Sequence, residues 1–90
     1  MNNKCLIRTN NNKIRQEEDN RFIVLNPYGS LLSFNKVGYE VLKLCDGFNT
    51  ERDIVKKLED IYEIDSSVLA KDINLCIQQL MLGRLIRYND

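Results

Sequence analysis

The chain has 90 residues and a mass of 10.6 kDa, with 43% hydrophobic and 29% charged side chains. A domain of this size buries only about 60% of its unfolded surface, which leaves no room for a second core. Thirteen Lys and Arg balance thirteen Asp and Glu, which argues against a polyanionic partner such as bulk nucleic acid or an acidic membrane surface.

Residues 1–11 are rich in Asn and lack an apolar run of signal-peptide length. They are expected to be a flexible N-terminal segment, or a loose extra strand, ahead of a domain spanning 12–88. No apolar run is long enough to cross a membrane, so the expected compartment is the cytoplasm. Residues 13–17 place Ile14 in a polar run, as an exposed strand would, and Glu18-Asp19-Asn20 is a turn. Residues 21–25 are aromatic and β-branched, the content of a strand. Asn26-Pro27-Tyr28-Gly29 is a turn with Pro at its second position and Gly closing it. Residues 30–34 follow as a third short strand, completing an antiparallel meander that needs a helical layer behind it.

The second part of the chain supplies that layer. Asn35 is suited to cap a helix carrying Val37, Val41, Leu44 and Cys45, with Asp46-Gly47 as its stop. Thr50 and Asp53 form a capping box that opens a second helix, whose apolar positions are Ile54, Val55, Leu58, Ile61 and Tyr62. Asp65 or Ser66 caps a third helix reaching Leu82, which Gly83 stops, and an apolar tail at 84–88 is extended. The fold class is α+β and winged-helix-turn-helix-like: a three-stranded antiparallel β-sheet followed by three α-helices.

The chemical inventory points away from catalysis. Histidine is absent, which removes the commonest general base and metal ligand. Cys5, Cys45 and Cys76 are too far apart in sequence for a CxxC metal motif and read as free thiols, the latter two inside apolar helical patterns. Gly29, Gly38, Gly47 and Gly83 are isolated, so no phosphate loop can be drawn. No catalytic residue, metal or cofactor is assigned, and the function is expected to be binding.

At about 100° per residue, the third helix has more apolar surface than its core needs. Leu69, Ile73, Cys76, Ile77 and Leu80 make the core stripe; Ala70, Lys71, Asn74 and Gln78 face solvent. Beside the core stripe, Val68, Asp72, Leu75, Gln79 and Leu82 form a mixed one, suited to a groove for a peptide with apolar and polar contacts. The strand Ser30, Leu31, Leu32, Ser33, Phe34 is the edge of the meander and could template an added strand. A covered sheet edge or a homodimer contact would account for the same residues. A winged-helix DNA-binding regulator is the rival from another class. It is disfavoured because residues 65–83 hold only Lys71 against Asp65 and Asp72.

The segments Leu25-Asn26-Pro27-Tyr28-Gly29 and Leu31-Leu32-Ser33-Phe34-Asn35 resemble the strand–turn–strand of the PqqD family. Leu42-Lys43-Leu44-Cys45-Asp46-Gly47 resembles its LxLCDG signature, and residues 50–54 its next capped helix. Asp72-Ile73, Leu80 and Gly83-Arg84-Leu85-Ile86 are similar to its Dv…L…GLI ending. Phe34 stands where Leu is usual, and Tyr28 where the turn is commonly acidic. The resemblance covers 13–87 and implies a recognition element (RRE) of ribosomally made, post-translationally modified peptide (RiPP) pathways. It would bind a precursor's leader peptide by β-strand addition and present it to a modifying enzyme, a radical SAM enzyme rather than a lasso-type leader peptidase. Carried over, the peptide-binding positions are Ser30, Leu31, Leu32, Ser33 and Phe34, with Asp72, Leu75, Gln79 and Leu82 opposite.

Overall fold

The computed structural model describes residues 4–9 and 14–89. In chain order they form β1 (Cys5–Arg8), β2 (Ile14–Glu17), β3 (Arg21–Leu25), β4 (Leu31–Phe34), α1 (Lys36–Leu44), β5 (Asp46–Asn49), α2 (Glu51–Tyr62), α3 (Ser66–Leu82) and β6 (Ile86–Asn89). The strands make two antiparallel sheets, β2-β3-β4 and β5-β1-β6. The meander and the three helices are where the sequence places them; the second sheet is additional.

Alternation sets the meander. Phe22 and Val24 are buried, and across the strand pair they face Phe34 and Leu32, which turn to the same side. The hairpin between β3 and β4 is a tight turn followed by a left-handed glycine. Gly29 N–H donates to the Asn26 carbonyl at 3.1 Å, Asn26 N–H donates to the Ser30 carbonyl at 2.8 Å, and Gly29 has φ +90°. The bonded Asn26–Ser30 pair phases the ladder. Antiparallel pairs alternate, so Leu32 and Phe34 bond to β3 while Leu31 and Ser33 aim their N–H and C=O groups at the open edge.

Of the two forms expected of the N-terminal segment, Cys5–Arg8 takes the strand. Cys5–Arg8 is not a flexible lead-in but the central strand of the second sheet, and Leu6 is 0% exposed within the core. The domain therefore includes residues that the boundary at 12 leaves outside; residues 1–3 and 10–11 lie outside the described set. The stop at Asp46-Gly47 is also corrected. α1 ends at Leu44, Cys45 turns into the core, and Asp46 and Gly47 begin β5. The Asp46 carboxylate accepts Phe48 N–H at 2.9 Å. Gly47 has φ +92°, and a Cβ there would come within 3.3 Å of Ile7 Cδ1 on β1.

All three helix starts use local caps. The Asn35 side chain accepts Gly38 N–H at 2.9 Å, and Thr50 and Asp53 exchange hydrogen bonds of 3.2 and 3.0 Å. Asp65, rather than Ser66, caps α3 by accepting Ser67 N–H at 2.9 Å. Leu69, Ile73, Ile77 and Leu80 of α3 pack with Val41, Leu42, Ile54 and Leu58 in one core. Of the apolar positions of α2, Ile61 is exposed.

The end of α3 divides two jobs between neighbours. Leu85 N–H donates to the Leu80 carbonyl at 2.9 Å and Arg84 N–H to the Met81 carbonyl at 3.0 Å, a Schellman motif whose left-handed residue is Arg84 (φ +61°). Gly83 has an ordinary negative φ and serves close approach: a Cβ on it would lie 2.8 Å from Leu32 Cδ1. Arg84→Gly is therefore expected to stabilise the domain by about 0.5 kcal/mol, and Gly83→Ala to destabilise it. Urea midpoints of the two variants check this.

Candidate functional site

The edge of the meander and the surplus face of α3 meet across a groove of about 500 Å³. One wall is Ser33 and Phe34 of β4; the other is Asp72, Leu75, Cys76 and Gln79 of α3. Asn35, Val37 and Gly38, at the start of α1, close the floor. Two glycines permit this approach. A Cβ on Gly38 would come 2.9 Å from Phe34 Cβ, and Gly83 admits Leu32 against the end of α3.

Asn26 ties the two walls together. Its side-chain oxygen accepts Tyr28 N–H at 3.0 Å and Ser30 N–H at 2.8 Å, which orders the hairpin. Its Nδ2 donates to the Gly83 carbonyl at 3.0 Å, pinning that hairpin to the C-terminus of α3.

Of the nine positions singled out from the sequence, Ser33, Phe34, Asp72, Leu75 and Gln79 share the groove lining. Leu75 is 58% exposed, a large apolar side chain offered to solvent in mid-groove. Leu82 is 83% exposed on α3 beyond the lining, and Ser30 and Leu31 lie exposed at the hairpin end of β4. Leu32 turns its side chain inward against Gly83.

Asn35, Val37, Gly38 and Cys76 line the groove without having been singled out. Cys76 counts by angle as core, yet it lies one helical turn from Asp72 on the groove side, a spacing that could have flagged it.

Burial pushes the Cys76 thiol up to about 11. Cys45 rises to about 12, through burial first, then the nearby Cys76 and Asp46, with Arg8 opposing. Unfolded thiols ionise near the ordinary value of 9.0. The stability these groups confer is thus complete below pH 9 and is lost as pH rises from 9 towards 11–12. The urea midpoint is expected to fall between pH 8.5 and 10.5, and to fall less in Cys45→Ala, which removes the more perturbed thiol. At pH 8, iodoacetamide should leave Cys45 and Cys76 unmodified until the chain is unfolded, as read by peptide mass mapping.

Among the described residues, no group of three or more His, Cys, Asp or Glu side chains is placed to hold a metal ion, and no helix is long and apolar enough to cross a membrane.

Residues 16–86 match the family described as coenzyme PQQ synthesis protein D (PqqD). A PqqA binding protein of Methylococcus capsulatus is 31% identical over 72 residues, covering 80% of this chain and 74% of that protein. The solution structure of the PqqD truncation of Methylobacterium extorquens PqqCD, described as a functional, stand-alone RiPP recognition element, superposes with a TM-score of 0.73. It is 25% identical, and the match covers 91% of this chain and 87% of that one. TbiB1, solved in complex with the TbiA(β) leader peptide, has the same fold at a TM-score of 0.72 and 16% identity, covering 90% and 94% of the two chains. From β2 into β6, by sequence and by fold, the chain belongs to the PqqD family.

Proposed function

We propose that this domain binds the leader segment of a ribosomally made precursor peptide as an added strand on β4 and holds it for a modifying enzyme, a radical SAM enzyme in particular. It acts in the cytoplasm and makes or breaks no bond itself. The observation that carries the proposal is the groove: a strand edge that no described strand pairs with, facing an exposed, mixed apolar and polar helix stripe. The names of two relatives, one for binding PqqA and one for being a stand-alone recognition element, support the same reading.

Main-chain groups of Leu31 and Ser33 supply the pairing, and pockets around Phe34, Leu75 and Gln79 supply selectivity. Ser30 and Leu82 extend the contact at the hairpin end, while Leu32 supports β4 from beneath. The leader folds as it binds, so only the surplus over its ordering cost appears as affinity. A micromolar to nanomolar constant, about −8 to −12 kcal/mol, is expected. Tethering the leader raises the effective concentration of the rest of the precursor at the enzyme, a rate gain that needs no catalytic group here.

The test is an NMR titration of the labelled domain with synthetic leader segments of a precursor encoded beside it. Shifts are expected along β4 and the groove face of α3, and Leu75→Asp should weaken binding at least tenfold with unchanged circular dichroism. Unchanged affinity in the folded variant would sink the groove as the binding site.

A further inference from the structure

Among the described residues the groove lining holds one charge, Asp72, which is exposed and whose carboxylate has no hydrogen bond or ion pair with any of them. Lys71, its neighbour in sequence, lines a different depression beside Glu51 and Asn74 on the other flank of Leu75. The carboxylate thus stands at one end of the apolar patch made by Leu75 and Cys76, with no cation among the described residues to answer it.

From this we infer that the groove selects peptides by charge. The bound strand carries a Lys or Arg opposite Asp72 and an apolar side chain two residues further on, against Leu75 and Cys76, with a polar one after a further two residues, at Gln79. This inference rests on the strand-addition reading above and adds a specificity to it. The spacing follows from two repeats. Side chains on one face of a strand recur about every 6.6 Å, and residues four apart on a helix rise by about 6.0 Å. Consecutive groove-facing residues of a strand laid along α3 therefore meet consecutive turns of the helix.

The direction follows from the packing. Leu32 lies against Gly83, at the end of α3, whereas Phe34 and Asn35 share the groove with Asp72 and Gln79. β4 therefore runs against α3, and a strand antiparallel to β4 runs with it, which puts the cationic residue on the N-terminal side of the apolar one. An acidic residue at that position would meet Asp72 across a partly desolvated gap and be rejected, so one carboxylate both attracts the right strand and excludes the wrong one.

The test uses an mRNA-display library of twelve random residues, selected separately on the wild-type domain, on Asp72→Lys and on Leu75→Asp. Wild type should enrich Lys or Arg two residues before an apolar position. Asp72→Lys should keep the apolar position and change the first to Asp or Glu. One enriched peptide, made with its cation replaced by Glu, should bind wild type about five- to tenfold more weakly and recover on Asp72→Lys. Enrichment of the apolar position with no charge preference on either protein overturns the charge rule and leaves strand addition standing. No enrichment on wild type, or the same peptides enriched on Leu75→Asp, overturns the groove reading itself and the charge rule with it.

Discussion

Asn26→Ala is expected to destabilise the domain by about 3 kcal/mol and to weaken peptide binding beyond what the lost stability explains. Three hydrogen bonds disappear together: two that the side chain accepts from Tyr28 and Ser30 N–H groups, and one that it donates to the Gly83 carbonyl. Each contributes about 1 kcal/mol net, and the loss is larger where a buried partner is left unsatisfied. Asn26 is itself buried, so water does not replace these contacts freely.

Asn26→Asp separates the two roles. It keeps the two accepted bonds, but it loses the donor and sets a carboxylate against the Gly83 carbonyl. The hairpin should stay ordered in Asn26→Asp while its attachment to α3 loosens. Urea midpoints of both variants, with NMR shifts at Gly83 and along β4, measure the split. Equal stability of wild type and Asn26→Ala would show that the hairpin holds α3 by packing of Leu32 alone.

Leu6→Ala is the second large effect, at about 3 kcal/mol within the roughly 2–5 kcal/mol range of buried Leu truncations. Leu6 is fully buried in the common core, and β1 is bonded on both sides, to β5 and to β6. For a domain whose whole stability is about 5–15 kcal/mol, that loss lowers the urea midpoint by a large fraction. Removing residues 1–9 should be more severe, because it leaves β5 and β6 without the strand between them and uncovers the side of the core that Leu6 fills. A truncated chain with an unchanged midpoint and native amide dispersion would show that β1 is dispensable.

Much of the groove could be read from the chain because its parts are encoded locally. The turn from Asn26 to Ser30 fixes a hairpin from five residues, and the inward set of β3 follows from simple alternation. Asn35, Thr50, Asp53 and Asp65 each cap a helix within three residues of themselves. The surplus stripe of Asp72, Leu75 and Gln79 follows from angular spacing on α3, because a helix repeats without reference to its neighbours.

Other features lie between segments far apart in sequence, where no local pattern records them. Cys5–Arg8 and Asp46–Asn49 are four-residue strands, too short for a clear period, and they become strands only on meeting each other and β6. Gly47 reads as a helix stop until β1 is seen lying against it. Asn26 reads as a turn residue until Gly83, 57 positions later, is brought to its amide.

Local chemistry thus specified the meander, the three helices and the side chains that one face of α3 would show. Tertiary packing decided which strand edge faces that helix, how wide the gap between them is, and that the Asp72 carboxylate stands in it without a partner among the described residues. Hydrogen bonds and periodicities within a few residues are written in the order of the chain. Pairings across forty or more residues depend on the complementary surfaces those elements present only once they are formed.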